Sequence, residues 1–196
     1  MSKISSGLLV GLTALLIGLT TLPSLLTAQE IALKLDPART TIQWSLPATA
    51  HTVHGTFLLK RGTLRFDPAT GEAQGEIVVD MLSAQSGNGS RDKKMHKDVL
   101  ETPKFAEASF VPTRVEGQWA AAGASKLTFL GTIKLHGADH PLKLEAQIQK
   151  SGADYAADTR FVVPFVEWGM KDPSFFAFRV ENKVAVEIKA TGAPVR

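Results

Sequence analysis

Residues Lys126–Gly137 read KLTFLGTIKLHG, and Leu127, Phe129, Gly131, Ile133 and Leu135 fall in step at a period of two. The next run, His140–Lys150 (HPLKLEAQIQK), repeats the pattern with Leu142, Leu144, Ala146 and Ile148. Alternation of this kind puts one set of side chains on one face of a β-strand. HGADH between the two runs, with Gly137, reads as a hairpin turn. Two long strands joined this way define an antiparallel ladder with one apolar face.

The same period recurs outward in both directions. Toward the N-terminus it appears in TTIQWSLP (Ile42, Trp44, Leu46), TVHGTFLL (Val53, Gly55, Phe57, Leu59) and GTLRFD (Leu64, Phe66). It continues in GEIVVDM (Ile77, Val79, Met81) and FAEASFVP. Toward the C-terminus it appears in DTRFVVPF and in NKVAVEIKATG (Val184, Val186, Ile188). Asp67–Gly71, DPATG, is a turn, since Pro68 presets φ and Gly71 gives freedom where the chain reverses. No long helical period competes. Eight or nine strands with turn signals between them make the chain all-β and antiparallel, as a barrel or a sandwich. Gly55 and Gly131 interrupt two inward sets at mid-strand, where they either leave room or mark a bend.

The N-terminus does not belong to this pattern. Lys3 is followed by the apolar run Gly7–Leu22, then by Pro23 and a small residue at Ala28. This is the layout of a signal peptide over residues 1–28, leaving one domain over residues 29–196. An uncleaved anchor is the competing reading; the short apolar core and Pro23 favour cleavage. The expected location is therefore the periplasm or the exterior. The formal charge of +3 is small and dispersed, so no nucleic-acid partner is expected. The chain has no cysteine, which removes disulfides, thiolate nucleophiles and thiolate metal ligands together.

Catalytic chemistry finds little support. No Gly-x-Ser-x-Gly elbow is present, and Ser83, Ser86 and Ser90 sit where hydroxyls serve turns and caps. His51 and His54 are three apart, so on a strand they point to opposite faces and cannot share an ion. His136 and His140 flank a turn, and His96 has no second ligand at fixed spacing. All five are expected to be surface histidines, with no metal, no cofactor and no enzymatic activity.

Ser90–Phe110, SRDKKMHKDVLETPKFAEASF, departs from the alternation. Its charge is compensated, with Arg91, Lys93, Lys94 and Lys97 against Asp92, Asp98 and Glu101. Met95, Val99 and Thr102 form one narrow stripe at helical spacing. With Ser90 as N-cap and Thr102-Pro103 as a stop, residues 90–103 are expected to form a short helix and loop across one barrel end.

These residues also carry a resemblance. SGNGSRDKKMHKDVLETPKFAEASF resembles the Asn…Arg-Asp…Ala-x-Phe segment of the YceI-like family of exported, lipocalin-like proteins, some known as polyisoprenoid-binding. LDPARTTIQW (Leu35–Trp44), VHGTFLLKRGTLRFD (Val53–Asp67), LTFLGTIKLHGADHPL (Leu127–Leu142) and FVVPFVEWGMKDPS near the end resemble further family segments, in family order. The chain departs from common members at Val99-Leu100-Glu101, where Phe-Phe-Asp is usual, and at Phe105-Ala106, where Tyr-Pro often stands.

The resemblance implies an eight-stranded antiparallel lipocalin-like barrel holding a long apolar chain. The implied ligand is a polyisoprenoid, isoprenoid quinone or fatty-acyl lipid, held for carriage, storage or stress protection. Strand parity nominates Trp44, Phe57, Phe66, Ile77, Phe129, Ile133, Leu144, Phe161, Val163 and Val186 as walls of the interior. Arg91, Lys94, His96 and Lys171 are the rim candidates for a polar head group. A transient membrane contact is expected of such a carrier, while the residues set no oligomeric state. The alternative is a filled barrel that serves as a structural or stress-response interaction module.

Overall fold

A computed structural model describes residues 30–195, so the expected signal peptide at residues 1–28 lies outside the described residues. Nine strands run in chain order: β1 Ile31–Leu35, β2 Thr41–Leu46, β3 Val53–Asp67, β4 Glu72–Gln85, β5 Glu107–Gly117, β6 Ala124–Leu135, β7 Ala138–Ser151, β8 Asp154–Val163 and β9 Val184–Pro194. From β2 to β9 each strand pairs antiparallel with the next, and β9 pairs back onto β2. The sheet is thus a closed barrel of eight staves, which leaves no edge to aggregate.

The ninth strand shares a stave. β1 and β2 both lie between β3 and β9, with Leu33 opposite Leu64 and Pro194, and Trp44 opposite Gly55 and Val186. A single 3₁₀ turn at Pro37–Arg39 separates them, capped by the Asp36 carboxylate on the Ala38 N–H at 2.9 Å. The Asp-Pro pair is therefore a jog within one stave. β1 is not among the strands expected above, although IALKL alternates at Ile31, Leu33 and Leu35.

β3 also differs from the sequence expectation, because TVHGTFLL and GTLRFD form one continuous strand. Val53 and Leu59 are buried at odd positions, Leu64 and Phe66 at even ones. A bulge reconciles them: Leu59 faces Val79 but Arg61 faces Val78, so one extra residue resets the inward face. At the far end Asp67–Gly71 turns as expected. The Gly71 N–H donates to the Asp67 carbonyl at 2.8 Å, and Gly71 has φ 77°, which glycine adopts without penalty.

The charged segment folds as α1 (Gly89–Lys94), followed by one π turn at Met95–Val99. Its cap is Asn88, whose side chain accepts from the Arg91 N–H at 3.0 Å; Ser90, the expected cap, is already helical. The stripe is as anticipated: Val99 and Thr102 are buried and Met95 packs on the core. The chain leaves the helix through Glu101 at φ 45°.

Both mid-strand glycines have a steric cause. A Cβ on Gly55 would stand 2.2 Å from Cζ2 of Trp44 and 2.3 Å from the Gln85 carbonyl. The space at Gly55 is the slot for the indole across the ladder. At Gly131 a Cβ would meet the Val111 carbonyl at 2.3 Å, beside the bulge where β5 slips on β6. Neither glycine leaves an empty pocket.

Candidate functional site

The barrel interior divides into a packed half and a hollow half. In the packed half Phe66 meets Trp119 and Phe129 edge-on at 5.4 and 5.5 Å, and Trp119 leans on Tyr155 at 5.2 Å. Leu127 and Ile148 fill the space around them. Aromatic edges fitted to faces in this way fill that end, and none of these side chains lines the cavity in the other half.

The other half holds a cavity of about 590 Å³. Its wall comes from alternate residues of the staves: Ile42 and Trp44 of β2, Phe57 of β3, Val79 and Met81 of β4, Ile133 of β6, and Phe161, Val163 and Val186 of β8 and β9. Its mouth lies between three connections: Ala48–Val53, the helical segment from Ser90 to Leu100, and the long β8–β9 loop with Phe165, Met170, Phe175 and Phe178. The helix contributes Met95 and Val99, so its apolar stripe closes part of the mouth.

Of the ten wall residues nominated by parity, Trp44, Phe57, Ile133, Phe161, Val163 and Val186 line this cavity. Phe66, Phe129 and Leu144 are core of the packed half, and Ile77 is half-buried against that core without reaching the cavity. Strand parity identifies the inward face but carries no information on height along the barrel axis, and height separates the two groups.

The charged groups at the mouth, among the described residues, are Arg91, Lys94 and Arg179, all cationic. Arg91 is held by its Nε on Ser86 Oγ at 2.7 Å and by Nη2 on the Ser86 carbonyl at 2.8 Å. Of the rim candidates read from sequence, Arg91 and Lys94 line the mouth. His96 and Lys171 do not. The His96 ring bridges the Ala84 carbonyl at 2.9 Å and Thr102 Oγ1 at 3.2 Å, which ties the helical segment to β4.

The expectation of five surface histidines is corrected for three of them. His96 is the tie just described. His136, at φ 52°, brings Nε2 to 3.0 Å from Glu101 Oε2 and rests on the Phe105 ring at 4.4 Å. His140 stacks flat on Trp168 at 4.2 Å. These contacts cross between elements distant in sequence, so spacing along the chain does not reveal them. Lys104 at 2.7 Å, with His136 adding to it, holds the Glu101 carboxyl below the usual carboxylate range.

Met170, Phe175, Phe178 and Arg179 are mouth residues that strand parity misses, because they lie in a loop; Phe165 ends the DTRFVVPF run in step with Phe161 and Val163 but is not among the nominated walls. The signal available was SFFAF (Ser174–Phe178), three phenylalanines within four residues of a connection that follows the charged pair Lys171-Asp172.

The fold and site define a class: a closed antiparallel β-barrel with an apolar cavity open at one end. The chain belongs to the YceI-like domain family, whose pattern matches residues 33–192. A UPF0312 protein of Pseudomonas fluorescens SBW25 is 28% identical over 156 residues, covering 74% of this chain and 79% of the relative. A UPF0312 protein of Pseudomonas savastanoi pv. phaseolicola is 34% identical over 105 residues, and there the match spans about half of each chain, 52%.

Two solved structures share the architecture at 16% identity. One is a polyisoprenoid binding domain from Saccharophagus degradans, with a TM-score of 0.67 over 84% of this chain and 99% of the neighbour. The other is Burkholderia cenocepacia BcnA, with a TM-score of 0.64 over 80% and 98%.

Proposed function

We propose that this protein binds one long apolar chain, of polyisoprenoid, isoprenoid-quinone or fatty-acyl type, within the barrel, and that it does so after export to the periplasm or the exterior. The observation that carries the proposal is the cavity itself, about 590 Å³, walled by aliphatic and aromatic side chains and open at a cationic mouth. Likeness in fold to a polyisoprenoid binding domain supports it, as does the Lys3–Ala28 leader pattern for export. A filled barrel acting only as an interaction module is disfavoured by the cavity in one half of the interior.

Magnitudes set the ligand size. If a methylene takes about the ~30 Å³ of a water molecule in liquid, the cavity accommodates roughly twenty carbons. At ~0.8 kcal/mol per buried CH₂ that gains about 16 kcal/mol, and association offsets about 4–15 kcal/mol of it. A solute of two or three carbons gains only about 2 kcal/mol and does not bind, while a chain long enough to fill the cavity gains enough to offset the cost. Apolar fit discriminates weakly among tails, so head-group choice falls to Arg91, Lys94 and Arg179 at the mouth. The function assigned is binding, with no chemical turnover.

The test is native mass spectrometry of protein purified from a membrane-containing host, followed by lipid extraction. A stoichiometric adduct with an apolar chain is expected. Protein that carries no lipid, and takes up none when offered prenyl or fatty-acyl chains, would refute the proposal.

A further inference from the structure

The β8–β9 loop ends in a hairpin that places three phenylalanines in water. Phe175 and Phe178 exchange both backbone hydrogen bonds at 3.0 and 2.9 Å, so Phe176 and Ala177 form the two-residue tip. Phe176 is 94% exposed and has φ 51°, a conformation in which a bulky residue is rare. Phe175 and Phe178 are 61% and 60% exposed. Folding gains nothing from such a tip.

The hairpin is anchored rather than loose. The Thr49 N–H donates to the Arg179 carbonyl at 2.9 Å, the Arg179 N–H to Thr49 Oγ1 at 3.0 Å, and the Glu181 N–H to the Pro47 carbonyl at 3.0 Å. Ser174 Oγ accepts from the Val180 N–H at 3.0 Å. The tip therefore projects from a fixed base beside the cavity mouth. Phe175 and Phe178 line that mouth as well as facing solvent, so the apolar lining of the cavity extends to the two residues that flank the tip.

The surrounding charge is one-signed where it faces the mouth. Arg91, Lys94 and Arg179 are there, with the Lys94 ammonium 5.3 Å from the Phe175 ring centroid. Of the acids nearby, Asp92 accepts from the Ser86 N–H at 2.9 Å and Asp172 from the Ser174 N–H at 2.8 Å, while Glu181 at the base of the hairpin is exposed and does not line the mouth.

We propose that the Phe175–Phe178 hairpin is a membrane-docking finger. It enters the interface of a phospholipid bilayer carrying anionic head groups and holds the cavity mouth against the lipid. Aromatic side chains favour that interface, and an apolar projection beside cations binds it by buried area plus attraction to anionic lipid. The extended apolar lining selects a bilayer over a protein partner, because it lets a tail pass from lipid to cavity without crossing water. This inference rests on the lipid-binding function proposed above.

The absence of cysteine in the whole chain makes the test direct. Full-length Phe176→Cys and Ala69→Cys proteins are labelled with a polarity-sensitive fluorophore, position 69 lying in the β3–β4 turn at the packed end. With vesicles of equal parts phosphatidylcholine and phosphatidylglycerol, the label at 176 shifts to shorter wavelength and gains protection from an aqueous quencher. The label at 69 does neither. No shift at 176, equal shifts at both positions, or a shift that follows protein concentration without vesicles would each overturn the proposal. An equal response on phosphatidylcholine alone would overturn the role of the cations.

Phe176→Asn, which keeps the positive φ accessible, slows transfer of a fluorescent fatty acid from vesicles about tenfold or more. Tail affinity in vesicle-free solution is unchanged, because Phe176 does not line the cavity. Insertion without tail uptake would refute the binding proposal alone; tail uptake without insertion would refute the docking finger alone.

Discussion

Affinity for a homologous series of carboxylic acids should rise with chain length and then stop rising at a length set by the cavity. The perturbation is one methylene at a time. Each CH₂ that enters the wall formed by Ile42, Phe57, Ile133 and Val186 contributes up to ~0.8 kcal/mol, roughly a fourfold gain in affinity. From ten to sixteen carbons the upper bound is about 5 kcal/mol, reduced by the ordering of each added rotor. Beyond roughly twenty carbons the added methylenes have no cavity left to fill, and the slope should fall to zero.

Trp44 lies in the wall, so its emission reports occupancy in a titration below the micellar limit. Ala108→Phe sharpens the experiment. Ala108 is buried and lines the cavity, so the added ring should move the plateau to chains shorter by about three carbons. A flat series, or a plateau that Ala108→Phe leaves in place, would refute the assignment of the tail to this cavity.

Four further outcomes follow from local geometry. Gly55→Ala drives a Cβ into Trp44 and the Gln85 carbonyl, so urea or thermal unfolding should show a loss of about 1–3 kcal/mol. An unchanged midpoint would show that the indole slot is not tightly packed. Replacing Met95 and Val99 together by Asp places charge against the mouth and core and should cost about 2–4 kcal/mol or abolish tail uptake. Lys93→Gln with Lys97→Gln, both exposed, should leave stability within about 0.5 kcal/mol. Last, the lowered Glu101 carboxyl contributes stability above its ordinary value of 4.5 and loses it as pH falls through the lower folded value. The stability gap between wild type and Glu101→Gln should therefore be present at neutral pH and close on acidification below that value. A gap independent of pH would mean that the Lys104 and His136 contacts do not stabilise the fold.

Much of the fold was legible along the chain because a strand reports its own environment every second residue. The alternation in Leu127–Leu135 and Leu142–Ile148 required a two-faced sheet, and DPATG required a turn. The stripe Met95, Val99, Thr102 required a short helix covering an apolar surface. The helix cap was misplaced by two residues, since Asn88 and Ser90 are both good caps and only the backbone chooses between them. The bulge in β3 was implied by the switch from Leu59 to Leu64 and Phe66, yet its cause lies in the pairing with β4.

The site was legible only in part. Alternation by itself determined which side of each strand faces inward, and so placed Trp44, Phe57, Ile133, Phe161, Val163 and Val186 inside a β-protein. Only the tertiary structure decided that Phe66, Phe129 and Leu144 plug one end while those six surround a void. Height along a barrel depends on strand tilt and stagger between neighbours, quantities that pairing sets and that no single strand encodes. Nor could spacing bring Arg179 beside Arg91, or Phe175 and Phe178 to the mouth. Those meetings are made by closure of the sheet, which joins loops nearly ninety residues apart around one opening.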